Sequence, residues 1–530
     1  MDHPLRMSKK AKGDALSGVK EVSLSALDSA IANGDTSVIF ELLISNARQL
    51  ALTGKGAQLM KMAPYMGDES PSGLAIRRGF VMLGHVIDLD FEVAEALAHH
   101  LYEEEKNNPV YDFLEKITNY VFANARFARG DLEGAKSAIK AALDAPVISS
   151  DLGDTDKIQL IRMRCAILMT QFAESEIEEQ LNLAQKIADD SNENIYGIHL
   201  MAIKAMVLSQ KGEYLKALEL AKSALHSSKA HGYTGINSPI DAKQVIAQCY
   251  FAFSKLEQAN EMLEEIKADA LKFGLNSWYV MAEGSMIRNL AALVKTQEAL
   301  ERSNSLREFV KKFPEAYDLD WMVDISEMFL RYKLKDSNRV QDLAKRIPDL
   351  YFVKQIVSAM TYVDGKLGPI ENVLKLPERT PKEKIYKYLY LSEYPATSTD
   401  NPKKYMREAL RIGQETGSRE IFVRQIDSHL NLILSLASEE PSRYLEELSR
   451  ECLKRHELET STRDLKNESL TSREQQVLKH LATGKAINII GKELHISQNT
   501  MKTHLRNIYR KLQVDGRKSA VEKAKANFII

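Results

Sequence analysis

The sequence predicts an all-α protein, an α-solenoid of helix-pair repeats followed by a small four-helix unit. Three observations predict it. Glycine (25) and proline (14) are scarce among 530 residues, and sheet-rich chains spend both on turns and bulges. From about residue 21 to 455, apolar residues recur at helical spacing between short breaks. Several breaks look alike and return roughly every 40 residues, which is the pattern of stacked helix pairs. The 44% apolar fraction supports a large core and excludes wholesale disorder.

The start, residues 1–20, reads as a flexible basic segment, MDHPLRMSKKAKGDALSGVK. Its Lys9, Lys10 and Lys12 could serve as a nucleic-acid arm, and with no apolar run behind them it is not a signal peptide. No stretch approaches the ~18 uninterrupted apolar residues of a membrane span. Cys165, Cys249 and Cys452 are scattered, which fits a reducing compartment and no zinc module. A cytoplasmic setting with no membrane contact is the expectation.

Residues 21–455 carry the repeats. NARFARGDLEGAKSAIKAAL (124–143) and AMVLSQKGEYLKALELAKSAL (205–225) share G-[DE]-[LY]-x-x-A ahead of an alanine-bearing helix. Weaker copies surround Gln180, Ala259 and Ala299. The steps between Ala135, Gln180, Ala217, Ala259 and Ala299 are 45, 37, 42 and 40 residues. Gly130 and Gly212 fall at the tight turn between paired helices, where a side chain would crowd the crossing. The alanines then let the helices approach. Gly232, Gly274 and Gly417 stand where a helix would stop. VMLGHVIDLD (81–90) resembles a strand, but Phe80, Leu83, Ile87 and Phe91 keep helical spacing, so it is read as core helix. Pro348, Pro369, Pro377, Pro381 and Pro395 break the 335–400 region, which is read as a helix pair with shortened helices. The two strong copies resemble tetratricopeptide repeats, and their long, irregular spacing is closer to the array of MalT-type bacterial regulators.

Residues 456–469 are charged and poor in apolar side chains. They read as a linker or a charged helix end, and mark the domain boundary.

Residues 470–530 read as four short helices. Thr471 with Glu474 forms a capping box; Val477, Leu478, Leu481 and Ala482 make the first apolar face, and Gly484 ends that helix. Ile487, Ile490, Gly491 and Leu494 give the second face. Ser497 caps a third helix running to about Leu512, and Arg517 to about Asn527 makes the fourth. In the third, Met501, Leu505, Ile508 and Leu512 stack within about 60° of the helical wheel. Asn499, Lys502, Thr503, Arg506 and Arg510 fall roughly opposite. His504 lies near the packed edge. From Leu465 to Ile530 there are 13 Lys+Arg against 5 Asp+Glu, leaving 59 and 68 for the rest. The near-zero net charge therefore splits into a basic C-terminal unit and an acidic remainder, and such a basic patch is a nucleic-acid footprint.

These residues resemble the C-terminal helix-turn-helix of LuxR-type (GerE-type) transcription regulators. The matching pieces are Leu470-Thr-x-Arg-Glu474, Val477-Leu478, Gly484, Leu494-x-Ile-Ser497, Thr500-x-Lys502-x-His504, Asn507-Ile508, Lys511-Leu512 and Arg517 to Val521. The second helix departs: Ala486-Ile-Asn-Ile-Ile-Gly491 replaces the usual Ser-Asn-Lys-Glu-Ile-Ala and removes phosphate-contacting side chains. The resemblance implies major-groove reading of double-stranded DNA by a recognition helix over about 497–512. Base contacts would come from Lys502, Thr503 and Arg506, and backbone contacts from Asn499, Thr500, Arg510 and Lys511. It also implies a homodimer built on the fourth helix.

Other sensors of that family find no support. No Gly-Lys pair belongs to a phosphate-binding loop, no alternating strands suggest a phosphorylated receiver, and only Trp278 and Trp321 are available for a lactone pocket. His99, His100 and Glu103 form an i,i+4 pair without a third ligand and read as a solvated face. No catalytic residues, metal or cofactor are expected, and the protein is not expected to be an enzyme. The repeats would sense a peptide, protein partner or small ligand. An alternative is an interaction scaffold whose degenerate helix-turn-helix no longer reads DNA.

Overall fold

The computed structural model describes residues 29, 32–34 and 56–526, less 66–70, 88–90, 106–110, 129, 145–152, 172, 191–193, 232–238, 274–275, 313–318, 335, 349, 351–369, 395–401, 425, 467–469 and 513. The described residues form helices joined by short turns and contain no strand. The expected basic start and the stops at Gly232 and Gly274 lie outside them.

Three helices, α1 (Gly56–Met62), α2 (Pro71–Ile87) and α3 (Phe91–Glu105), precede the pairs; the 81–90 segment is helical as far as Ile87. The pairs are α4–α5 (Tyr111–Ala128, Leu132–Asp144), α6–α7 (Gly153–Gln171, Glu174–Asp190) and α8–α9 (Asn194–Lys211, Tyr214–Ala230). They continue as α10–α11 (Ile240–Ala252, Leu256–Phe273), α12–α13 (Asn276–Ala292, Thr296–Val310) and α14–α15 (Asp320–Lys333, Ser337–Ala344). Every repeat position named above is buried: Ala135, Gln180, Ala217, Ala259 and Ala299 are at most 2% exposed.

One turn recurs inside these pairs. Asp131 donates its N–H to the Arg126 carbonyl at 2.8 Å and Gly130 to Phe127 at 3.0 Å. Glu213–Leu208 (2.9 Å) with Gly212–Ser209 (3.1 Å), Lys255–Tyr250 (2.8 Å) with Ser254–Phe251 (2.9 Å), and Lys295–Leu290 (2.9 Å) with Val294–Ala291 (3.2 Å) repeat the pattern. This double closure needs a left-handed residue at its centre. Gly130 and Gly212 supply it at φ 78° and 92°, but Ser254 and Val294 adopt it at φ 60° and 63°. The weak copies at Ala259 and Ala299 thus keep the turn and lose only the residue that advertises it.

Gly130 and Gly212 are also needed by distant chain. A Cβ on Gly130 would strike the Pro348 ring, and one on Gly212 would lie 2.8 Å from the Lys382 Cβ. The crowding expected from the paired helix comes instead from residues far ahead, because the array coils until late helices meet early ones. Phe127 meets Trp321 edge to face at 6.2 Å. The Arg419 N–H donates to the Ala252 carbonyl at 2.7 Å, and Ser254 Oγ donates to Glu420 at 2.7 Å.

The late helices are α16 (Ile370–Leu374), α17 (Pro381–Leu391), α18 (Pro402–Thr416), α19 (Glu420–Val423), α20 (Ile426–Glu439) and α21 (Arg443–Lys466). The 335–400 region holds short helices, as read; Thr380 caps α17 and Pro381 begins it. Gly417 follows α18 at φ 80°, also as read. Of the two readings of 456–469, a linker or a charged helix end, the described residues follow the second: α21 continues through Lys466. Part of its charge is used internally: Glu459 is 9% exposed and pairs with Lys333.

The C-terminal unit comprises α22 (Ser472–Ala482), α23 (Ile487–Glu493), α24 (Gln498–Leu512) and α25 (Arg517–Ala526). Val477, Leu478, Leu481, Ile490, Met501, Ile508, Ala520 and Ala524 form its core. No described helix is long and apolar enough to cross a membrane.

Candidate nucleic-acid interface

Local chemistry sets the frame first. Thr471 accepts from the Glu474 N–H at 3.2 Å, and Glu474 accepts the Thr471 N–H at 2.7 Å, closing the capping box ahead of α22. Gly484, at φ 79°, ends that helix. Between α23 and α24, the Ile496 N–H reaches the Gly491 carbonyl at 2.9 Å with His495 at φ 53°. This is the closure of the repeat turns, used here to swing α24 away from α23. Ser497 Oγ accepts the Thr500 N–H at 3.2 Å and starts α24.

Packing then orients α24. Met501, Leu505, Ile508 and Leu512 are buried, as their spacing predicts. The opposite face is open: Asn499, Thr500, Lys502, Thr503, Arg506 and Arg510 are all exposed. Thr503 Oγ1 donates to the Asn499 carbonyl at 3.1 Å, which steadies it at the centre of that face. His504 is half-buried, in keeping with its place at the packed edge. The helix offers three cations, an amide and two hydroxyls in one strip about three turns long, a form that fits a major groove.

Lys511 does not join them. Its ammonium lies 2.7 Å from Glu474 Oε2, with side chains 10% and 3% exposed. Burial would raise the Glu474 carboxyl, but hydrogen bonds from Lys511 and from the Thr471 backbone outweigh it and hold the group below the usual carboxylate range. Lys511 therefore ties α24 to the capping box instead of facing outward. The sequence signal was present, since a capping-box acid is a fixed anion, but its neighbour in space was not.

Four further side chains brace the frame. Arg517 donates to the Leu481 carbonyl from Nη2 at 2.7 Å and from Nε at 3.2 Å, docking α25 on the end of α22. Arg473 donates to the Leu494 carbonyl. Lys485 and His480 meet Glu493 at 2.5 and 3.2 Å. On α23, Ile490 and Gly491 are buried and Leu494 is half-buried. Ile487 was read into that face but is 41% exposed, as is Ile489 at 47%. The helix has two turns, and only the second is covered by its neighbours. Elsewhere, His99 and His100 are exposed, with His99 resting on the Phe122 ring at 4.8 Å. No group of three His, Cys, Asp or Glu suited to a metal occurs among the described residues.

Residues 468–524 match the family described as "Bacterial regulatory proteins, luxR family" (GerE), so the C-terminal unit is a LuxR-type helix-turn-helix domain. The "Nitrate/nitrite response regulator protein homolog" of Haemophilus influenzae is 37% identical over 94 residues, 16% of this chain and 45% of that one. The "Transcriptional regulatory protein LiaR" of Bacillus subtilis is 44% identical over 66 residues, 12% of this chain and 31% of its own. The "CsgBAC operon transcriptional regulatory protein" of Escherichia coli is 45% identical over 58 residues, covering 11% and 27%. The chain thus spans less than half the length of each of these relatives. Among solved structures, a "Rap Protein Complexed with Competence and Sporulation Factor" aligns over 72% of this chain and 99% of its own, at 12% identity and a TM-score of 0.43.

Proposed function

We propose that this chain is a sequence-specific, DNA-binding transcriptional regulator of the cytoplasm, working as a homodimer. One observation carries the reading: α24 buries its apolar stripe and presents Lys502, Thr503 and Arg506 together to solvent. In this reading those three contact base edges, and Asn499, Thr500 and Arg510 contact the phosphate backbone. Residues 21–455 form the domain that senses a partner or ligand, and 470–530 form the reader. The charge division supports it, with 13 Lys+Arg against 5 Asp+Glu between Leu465 and Ile530.

The test is selection of genomic fragments by the full-length chain, followed by titration of the enriched site. Lys502→Ala with Arg506→Ala should weaken binding by ~5- to ~150-fold per lost base contact, at ~1–3 kcal/mol each. Affinity should fall with salt at a logarithmic slope of about 0.9 per phosphate contact. Failure to enrich any site at low salt would overturn the reading. It would instead favour the scaffold alternative, for which the exposed Ile487 and Ile489 of α23 are the one structural support.

A further inference from the structure

Coiling of the array brings together three cations that, among the described residues, have no carboxylate within ion-pair distance. The Arg288 guanidinium, on α12, lies 4.0 Å from the centre of the Phe251 ring. Arg424, just past α19, lies over the same ring at 5.8 Å and donates from Nη2 to the Tyr386 hydroxyl at 3.1 Å. Lys382 stands one turn before Tyr386 on α17, held against Gly212. Tyr214, at the start of α9, faces the same group and feels Tyr386, Arg424 and Arg288. The participants thus come from α9, α10, α12 and the α17–α19 segment, which lie far apart in sequence.

Their polar atoms are under-used. Arg288 Nε and Arg424 Nε are buried without a hydrogen-bond partner. Among the described residues, none of Arg288, Arg424 and Lys382 has a carboxylate within ion-pair distance. The acids nearby are already engaged. Glu420 takes Arg455 at 3.1 Å and Ser254 at 2.7 Å, and Glu383 takes Arg379 at 2.7 Å. Burial, with Arg424 alongside, pushes Arg288 down to about 10, and burial lowers Lys382 as well; Arg424 is held up against its burial by Tyr386 and by Glu420. Arg288, Lys382 and Arg424 are half-buried, so they remain partly open to solvent. Buried charge is retained when something pairs with it, so a partner from outside is called for.

We propose that Arg288, Lys382 and Arg424 bind the oxyanion group of a small ligand, a phosphate or a carboxylate, inside the coil. The bound group bridges α12 to the α17–α19 segment and ties early helices to late ones. This deepens the sensing role of the repeat domain and rests on that reading for its consequence. The site itself stands on three clustered cations without an ion-pair carboxylate among the described residues.

Thermal unfolding of the full-length chain tests it, with inorganic phosphate, succinate or sodium chloride added at equal ionic strength. Phosphate, succinate or both should raise Tm beyond chloride, with the folding constant up about 100-fold at a concentration 100 times Kd. Which oxyanion acts tells the two chemistries apart. Arg288→Met and Lys382→Met should abolish the rise, while Lys222→Met, in a cation outside the cluster, keeps it. Without added oxyanion the two cluster variants should unfold no lower than the wild type, because each removes a like-charge repulsion. A rise equal to that in chloride, or one surviving in both cluster variants, would overturn the site. So would a tyrosinate absorbance at neutral pH that vanishes in Tyr386→Phe, since the phenolate would then be the counter-charge. A bound oxyanion that leaves the affinity for the selected DNA site unchanged would uphold the site and refute the sensing role.

Discussion

The repeat array and the C-terminal unit treat their cations in opposite ways. In the array, the arginines around Glu327 and Asp324 satisfy buried acids. Glu327 is fully buried, with Arg307 at 2.8 Å, Arg339 at 3.1 Å and Arg331 at 3.3 Å. Beside it, Asp324 takes Arg307 at 2.8 Å and Arg346 at 2.9 Å. Burial raises the Asp324 carboxyl. It also works against Glu327, where the surrounding arginines win and hold the group low. In α24, by contrast, Lys502 and Arg506 point outward. The comparison teaches that cation count alone does not mark an interface. What marks it is whether the fold has already used the charge, and Lys511 shows that the distinction runs residue by residue even within α24.

The contrast can be broken at several points. The largest effect should come from Glu327→Gln, which leaves buried arginines uncompensated and should destabilise the array by ~3–5 kcal/mol. Denaturant unfolding would read that loss, and a change below ~1 kcal/mol would show the network to be dispensable. DNA affinity per folded molecule should stay unchanged.

Next in size is the pH response of the reader. The folded Glu474 carboxyl sits below its unfolded value, so its stabilising contribution is complete above the unfolded pKa. It fades as pH falls through the lower, folded value. The C-terminal unit should therefore lose Tm on acidification below about pH 4.3, more steeply than Glu474→Gln does. Parallel Tm profiles for the two proteins would refute the assignment.

The smallest change sharpens the turn comparison. Val294 holds φ 63°, a conformation that β-branched residues strongly avoid. Val294→Gly should stabilise the array by about 1 kcal/mol, whereas Gly130→Ala should weaken it, because Gly130 faces the Pro348 ring. A destabilised Val294→Gly chain would mean that the side chain's packing outweighs the strain.

Much of the reader was legible in the sequence, because its determinants are local. The capping box needs only Thr471 and Glu474, three residues apart, and the buried stripe of α24 follows from helical spacing alone. Less of the array was. Ser254 and Val294 occupy glycine positions, so the turn survives without its usual residue and is visible only as a backbone conformation. Residues 456–466 look like a linker by composition, yet Glu459 is enclosed by a lysine more than a hundred positions earlier.

By itself the sequence determined that this chain is helical, that it repeats near every 40 residues, and that it ends in a basic unit with one cationic helix face. Each of these depends on interactions within a few residues or on composition. Only the tertiary structure decided that the array coils onto itself, that Lys511 is consumed by Glu474, and that Arg288, Lys382 and Arg424 converge. The reason is physical. Helix spacing is set by one turn of backbone, but the path of a solenoid accumulates from small rotations at every helix pair. Which distant side chains meet is therefore a property of the sum, and no single stretch of sequence records it.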